Sequence, residues 1–151
     1  MRLFIVSLIL VIVSLNVSAQ IKQGTYSYGK PKKGPYGILQ LHQVSTGNYL
    51  FYLEVGKDAP NYNSGALYDK ITFNNTSGRY EANTKGCLLQ FLPDPKGVAI
   101  RTVKGDCGFG YGVVATGTYN EESRKNPSSF KTRTGKKVYF NKTTPAAFKE
   151  D

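Results

Sequence analysis

Apolar residues stand at every second position in a series of short runs, and this alternation restricts the fold more than any other feature of the sequence. A period of two is typical of a β-strand with one buried face, whereas a helix repeats its apolar residues every three or four positions. The predicted strands cover residues 37–42, 48–55, 67–73, 78–82, 87–92, 98–103, 112–119 and 137–140. Turn-forming residues such as Thr46, Gly47 and Asn48 separate the runs, so we expect the strands to follow one another as a meander.

About eight short, closely spaced strands predict an all-β fold, and closing them into a barrel would leave no exposed edge. We therefore expect a single small antiparallel meander barrel of the lipocalin-like or calycin-like kind. The glycine- and proline-rich entry segment is expected to add only an edge strand at residues 25–28. One face of the strands supplies the predicted core, which consists of Leu39, Leu41, Tyr49, Phe51, Leu53, Ile71, Phe73, Leu89, Phe91, Val98, Ile100, Val113 and Ala115.

The N-terminal residues have the three regions of a secretory signal peptide. Arg2 supplies the positive start, residues 3–15 are apolar except for two serines, and residues 17–19 are small. A membrane anchor is the alternative, but the apolar stretch has 13 residues where a span needs about 20. We expect an exported, periplasmic or extracellular protein whose mature chain has no transmembrane segment. The predicted divisions are a signal peptide (1–19), a β-barrel domain (20–140) and a polar C-terminal tail (141–151).

Basic residues outnumber acidic residues by 20 to 10, which gives a net charge of +10. The excess lies at the two ends of the mature chain. Residues 20–53 hold four lysines and no acid, residues 54–122 hold seven basic and eight acidic residues, and residues 123–149 hold eight basic residues and no acid. A clustered positive charge favours an acidic partner, and such a partner is expected at these ends.

An acidic polymer is the first partner that the charge indicates, and a merely solvated basic surface is the alternative. The candidate ligand residues at the basic ends are Lys32, Lys33, Arg133, Lys136 and Lys137. Four tyrosines interleave with the basic residues of the two ends, as stacking would require: Tyr26, Tyr28, Tyr36 and Tyr139. Nucleic acid is not expected as the ligand because the protein is expected to be exported.

Cys87 and Cys107 are the only two cysteines, and thiols in an oxidising compartment pair by default. Their bridge would close a loop of about 20 residues and join the start of the predicted strand 87–92 to the turn after the predicted strand 98–103. There is no Cys-x-x-Cys motif, and a single histidine cannot complete a metal site. We predict a structural disulfide.

His42 is the only histidine and no nucleophile motif accompanies it, so a Ser-His-Asp or Cys-His site is not indicated. It is expected to be an exposed histidine on the strand face opposite Leu39 and Leu41. A zinc site needs three or four ligands, and no metal or cofactor is predicted. Carboxylates such as Glu54 and Asp69 leave a small hydrolase open as an alternative. The expected protein is a monomeric, non-catalytic binding module.

Two segments around the cysteines resemble a poorly characterised family of small secreted bacterial domains. The first is Gly86-Cys87-Leu88-Leu89-Gln90-Phe91, and the second and more specific one runs from Asp106-Cys107-Gly108-Phe109-Gly110 to Gly117-Thr118-Tyr119. With an Asn/Gly turn at residues 61–65 and Tyr80, the likeness spans residues 24–119. Relatives of this kind are described as lysozyme-inhibitor-like. The resemblance implies a barrel that binds a protein and catalyses nothing.

Ser64-Gly65-Ala66-Leu67-Tyr68 also matches the Ser-Gly-x-x-Tyr segment of inhibitors of c-type lysozyme. In those inhibitors the serine and a downstream lysine enter the enzyme's cleft and meet its catalytic carboxylates. The resemblance implies this role for Ser64 together with Lys70 or Lys85, and it adds Tyr68 to the candidate ligand-binding residues. A cell-wall hydrolase is therefore the alternative partner to an acidic polymer.

Overall fold

Eight antiparallel strands form a closed barrel in the computed structural model, which describes residues 20–57 and 62–150. The barrel strands are β1 (Gly24–Tyr28), β2 (Tyr36–Ser45), β3 (Asn48–Gly56), β4 (Ser64–Asn74), β5 (Arg79–Thr84), β6 (Cys87–Asp94), β7 (Gly97–Lys104) and β8 (Gly117–Ser123). The predicted all-β meander barrel is confirmed. The predicted leader lies outside the described residues. Within the two described ranges, no helix has the length and apolarity needed to cross a membrane.

Strand β1 closes the barrel, so the prediction that it is an edge strand is wrong. It pairs with β2 on one side and with β8 on the other, where Thr25 lies opposite Ser123. The last barrel strand also differs from the prediction, because pairing begins only at Gly117. Gly108 and Gly112 have φ angles of 72° and 71°, a left-handed backbone that interrupts strand pairing. Residues 105–116 consequently form a loop.

Apolar and aromatic side chains fill the barrel interior, and most of them are those that the alternation predicts. Tyr26, Tyr49 and Tyr119 belong to the same cluster, and their hydroxyl groups donate to backbone carbonyl oxygens at 2.7–2.8 Å. Two predicted core residues differ, because Phe73 is 37% exposed and Val113 is only partly buried. A small barrel filled with side chains offers a ligand its outer surface and not its interior.

The loop of residues 105–116 packs against the start of β4, where that strand has a partner in β3 but not in β5. The β4–β5 ladder holds only three residue pairs. The ring of Phe109 covers Gly65, and a Cβ atom at Gly65 would overlap it. The side-chain amide of Asn63 donates to the carbonyl oxygen of Tyr111 at 3.0 Å. The loop therefore takes the place of strand pairing at this part of the barrel.

The predicted disulfide is confirmed between Cys87, the first residue of β6, and Cys107 in the loop. Both sulfur-bearing side chains are buried in the barrel core. The bridge anchors the loop to the barrel wall, and a disulfide of this kind fits an oxidising compartment.

Residues 124–150 pack on the outer face of the barrel, and we call them the C-terminal layer. The layer contains a two-stranded antiparallel sheet of β9 (Ser129–Lys131) and β10 (Lys137–Tyr139), and a 3-10 helix at Pro145–Ala147. The 3-10 helix lies in the predicted polar tail. Together with the barrel, the layer encloses a second buried cluster of Tyr52, Ala66, Tyr68, Phe130, Val138 and Phe140, against which Leu50 and Phe148 pack.

His42 takes part in this contact and is not the exposed strand histidine that we expected. Its ring stacks on Phe140, with centroids 4.9 Å apart and planes 5° apart. Its Nδ1 lies 2.8 Å from the carbonyl oxygen of Pro127, an acceptor, so Nδ1 carries the proton. The strand face is as predicted, since Leu39 and Leu41 point into the barrel. His42 holds the C-terminal layer in place.

Candidate functional site

The small sheet of β9 and β10 has one buried face and one exposed face. Phe130 and Val138 are opposite each other in the register and are buried in the second cluster. Side chains alternate between the two faces of a strand, so their neighbours point outward. On that side Lys131 lies directly opposite Lys137. Two exposed lysines thus stand side by side on the outer surface of the C-terminal layer.

Lys142 and Tyr139 complete this surface, and we call Lys131, Lys137, Tyr139 and Lys142 the basic face. Lys137 Nζ lies 5.0 Å and Lys142 Nζ 5.1 Å from the centroid of the Tyr139 ring. The backbone N–H of Lys142 donates to the carbonyl oxygen of Tyr139 at 3.1 Å, which holds the turn after β10. Because an ammonium group is attracted to an aromatic ring, Tyr139 holds the ammonium groups of Lys137 and Lys142 close to its ring.

No acid forms an ion pair with the three lysines in the described part of the chain. The ion pairs in residues 20–57 and 62–150 are Arg124–Glu121 and Arg133–Glu150. Like charges directly opposite each other destabilise a strand pair. The Lys131–Lys137 pair is therefore a position where a bound anion would stabilise the protein.

Glu54 is the acid that lines the groove beside Lys131 and Lys137, and both of its carboxylate oxygens accept hydrogen bonds. Tyr36 donates to Oε1 at 3.0 Å and Tyr52 donates to Oε2 at 3.3 Å. Burial, and then the negative charge of Glu54, raise the pKa of Tyr36 to about 12. The same two causes raise the pKa of Tyr52. Glu54 is held by these two hydrogen bonds and forms no ion pair with Lys131 or Lys137, although its negative charge lies in the same groove.

We expect the protein to lose stability as the pH rises from about 10 towards 12, the range set by the ordinary tyrosine pKa and the raised value of Tyr36. A raised pKa means that the folded state holds the phenol proton more tightly, so this contribution is complete below pH 10 and is lost above it. Denaturant unfolding between pH 8 and 12, followed by circular dichroism, measures the effect. Tyr36→Phe should show a smaller loss over that range. Equal stability at pH 9 and 11.5 would contradict the expectation.

Arg133 and Ser64 are brought together by the structure, but in a contact between the layer and the barrel. Arg133 Nη1 donates to Ser64 Oγ at 2.8 Å, and its Nε donates to Glu150 Oε1 at 2.5 Å. Tyr68 is also held by the layer, since its ring is buried in the second cluster and its hydroxyl donates to the carbonyl oxygen of Thr143 at 2.6 Å. Burial raises the pKa of Tyr68 to about 12.

Lys70 and Lys85 share a groove with Tyr68, where β4 and β5 separate. The groove has a volume of about 450 Å³ and is completed by Asp69, Thr84 and residues 144–146. Ser64 is not among its lining residues. The serine and lysines that the resemblance assigns to one contact are therefore distributed over two places on the surface.

The remaining candidate lysines lie in turns. Lys32 and Lys33 are exposed in the turn between β1 and β2, where Lys32 has a φ of 68°. Lys136 lies in the turn between β9 and β10, and its backbone N–H donates to Thr132 Oγ1 at 3.1 Å. Of the predicted ligand residues, Lys137 belongs to the basic face and Lys136 is its chain neighbour.

Glu54 and Asp69 do not come together as a catalytic pair. Glu54 lies opposite Ala66 in the β3–β4 register, and Asp69 lies opposite Phe51. Glu54 and Phe51 are three positions apart on β3, so their side chains point to opposite faces of the sheet. Asp69 shares the face of Phe51, and the two carboxylates are therefore on different faces. In the part of the chain that the structure describes, no cluster of three His, Cys, Asp or Glu side chains could hold a metal ion.

Lys131 and Lys142 lie in the basic C-terminal segment where an acidic partner is expected, but they are not singled out among the predicted ligand residues. Tyr139 is predicted only as one of the interleaving tyrosines. A signal for Lys131 and Tyr139 is present in the sequence, because Ser129-Phe130-Lys131 and Lys137-Val138-Tyr139 alternate on either side of a Thr134-Gly135 turn, as a hairpin does. Lys142 follows the hairpin, and only the turn after β10 brings it to Tyr139.

Comparison of the chain with protein-family models, with curated proteins and with solved structures gives no match. The candidate site is therefore identified from its geometry. It is a lysine-rich face on a layer that packs against a closed barrel.

Proposed function

We propose that the protein is an exported, non-catalytic binding module that holds an acidic polymer on the basic face of its C-terminal layer. The observation that carries the proposal is the Lys131–Lys137 pair, in which two lysines lie opposite each other and neither is ion-paired with an acid of the described chain. Lys142 and Tyr139 extend the same surface. An anionic chain lying across this face would relieve the repulsion between the lysines.

The distribution of charge supports the same conclusion. The segment of residues 123–149 holds eight basic residues and no acid, and its buried side chains pack on the outer face of β3 and β4. An excess of one sign on one face attracts a polymer of the opposite sign and raises its local concentration. The filled barrel interior also favours binding at the outer surface.

Export supports an acidic glycan or a similar extracellular polymer over nucleic acid as the ligand. The Cys87–Cys107 disulfide favours an oxidising compartment. Inhibition of a cell-wall hydrolase has less support from the geometry, because Ser64 and Tyr68 are both engaged by the C-terminal layer.

Dextran sulfate is expected to bind the purified protein, and uncharged dextran of the same length is not. Binding through about three lysines should weaken by roughly 20- to 40-fold between 50 and 200 mM salt, because each contact releases a counterion. Isothermal titration calorimetry at several salt concentrations measures this slope. A c-type lysozyme titrated under the same conditions tests the inhibitor alternative, and no binding is expected there.

A matched pair of triple variants locates the binding. Replacing Lys131, Lys137 and Lys142 by glutamine should reduce the affinity at least tenfold and flatten the salt dependence. The control replaces Lys22, Lys96 and Lys104, which are exposed elsewhere on the barrel, and removes the same charge. Equal losses in both variants, or binding that does not change with salt, would refute the proposed site.

A further inference from the structure

We infer that the basic face holds a seat for a single tetrahedral oxyanion, the sulfate or phosphate monoester of an acidic polymer. This inference rests on the proposed function and specifies the chemical class of its ligand. The ammonium groups of Lys137 and Lys142 lie about 5 Å from the centroid of the Tyr139 ring, and Lys131 lies opposite Lys137. Each ammonium group has three N–H donors and no acceptor.

The arrangement is held in place before any ligand arrives. Lys131 and Lys137 project from paired positions of a sheet whose other face is buried against the barrel. Lys137 and Lys142 are further held by Tyr139, since both ammonium groups lie about 5 Å from its ring centroid. Long side chains fixed in this way lose less conformational entropy when a ligand binds.

The number of ammonium groups favours a tetrahedral ester over a carboxylate, because three cations can each meet one of the ester's three outer oxygens, whereas a carboxylate has two oxygens. A carboxylate is planar and is best matched by the two parallel N–H groups of a guanidinium. The arginine of this region, Arg133, already binds the carboxylate of Glu150 at 2.5 Å. The three cations of the basic face are lysines, which act as point charges and are not restricted to the planar geometry of a guanidinium.

Charged and polar side chains adjoin the three lysines. Glu54 lines the adjoining groove, but its two oxygens accept from Tyr36 and Tyr52. Ser129 lies opposite Tyr139 on the same face and adds a hydroxyl donor beside the ring. The three lysines thus outnumber the one carboxylate that lines the adjoining groove, and Ser129 adds a neutral donor.

Binding of dextran sulfate is compared with binding of carboxymethyl dextran of equal length and charge density. The two polymers share one backbone and differ in carrying a sulfate ester or a carboxylate. At 150 mM salt we expect the sulfate ester to bind at least tenfold more tightly than the carboxylate. Inorganic phosphate, titrated alone and followed by NMR, should shift the amide signals of Lys131, Tyr139 and Lys142. This second arm distinguishes an ester carried by a polymer from the free ion.

The triple variant of Lys131, Lys137 and Lys142 to glutamine should lose the preference for sulfate and the phosphate shifts, whereas the Lys22, Lys96 and Lys104 control should keep both. Tyr139→Leu keeps every charge and should reduce the preference severalfold. Near-UV circular dichroism verifies that each variant is folded.

The possible results separate the two proposals. Equal affinity for both polymers, lowered equally by the triple variant, would overturn the seat and leave the polymer-binding function standing. If neither polymer binds even at 20 mM salt and phosphate causes no shift, both proposals fail. Phosphate shifts without polymer binding would support the seat and refute the polymer as its source.

Discussion

Phe130→Ala is expected to lower the free energy of unfolding by about 3 to 5 kcal/mol, the range for truncating a buried phenylalanine. Phe130 is only 2% exposed and lies at the centre of the second cluster. Its ring stacks on Tyr52 at 4.1 Å between centroids and also contacts Tyr68, Phe140 and Phe148 at 5.0–5.7 Å. Removing it leaves a cavity between the C-terminal layer and the barrel. Urea unfolding followed by circular dichroism gives the free energy.

Two further variants control this measurement. Phe130→Leu keeps most of the buried volume and should cost less than about 1.5 kcal/mol. Tyr111→Ala removes a ring that is 88% exposed and should change stability by no more than about 0.5 kcal/mol. If Phe130→Ala costs less than about 1 kcal/mol, the layer is not packed on the barrel as described.

Loss of the Cys87–Cys107 disulfide should lower the free energy of unfolding by about 3 kcal/mol. The bridge joins residues 20 positions apart, and a loop of about that length gives this value in the chain-entropy model. The loop of residues 105–116 would lose its covalent anchor to β6, which leaves Phe109 over Gly65 and the Asn63–Tyr111 hydrogen bond. Urea unfolding of Cys87→Ala/Cys107→Ala measures the change.

Wild-type protein in a reducing buffer is the matched control, because it lacks the bridge but keeps both sulfur atoms. The double variant should be somewhat less stable than the reduced wild type, since Cys87 is 1% exposed and alanine leaves a void there. Should reduction change the free energy of unfolding by less than about 1 kcal/mol, the bridge does not constrain the unfolded chain as the entropy model requires.

The alternation of apolar residues was sufficient to predict the barrel and its meander order, because each hairpin is a local feature of the sequence. It could not show that β1 is paired on both sides, since the β1–β8 contact depends on residues at the far ends of the barrel. The error at residues 112–119 has a local cause. The apolar pattern continues through that segment, while Gly108 and Gly112 adopt positive φ angles that the pattern does not reveal.

The second cluster was not predicted because its aromatic residues are dispersed among charges. Phe130, Phe140 and Phe148 are separated by lysines and threonines and form no periodic run. Their partners on the barrel, Tyr52 and Tyr68, belong to the strand face that alternation assigns to solvent. The basic excess could be read from the sequence, but two arrangements depend on the hairpin register and on the turn that follows it. These are the pairing of Lys131 with Lys137 and the approach of Lys142 to Tyr139.

The pairing of β1 with β8 also governs the order in which the chain can fold. Ser27 of β1 donates to Glu122 of β8 across 95 positions of sequence, so the two ends of the barrel have a long loop to close before they gain a contact. Contacts of such separation slow folding, whereas the hairpins between them form locally and early. β1 is synthesised before the other barrel strands, but it cannot complete its pairing until β8 has been synthesised. A chain interrupted before Gly117 would lack β8 and leave β1 and β7 as open edges that favour aggregation.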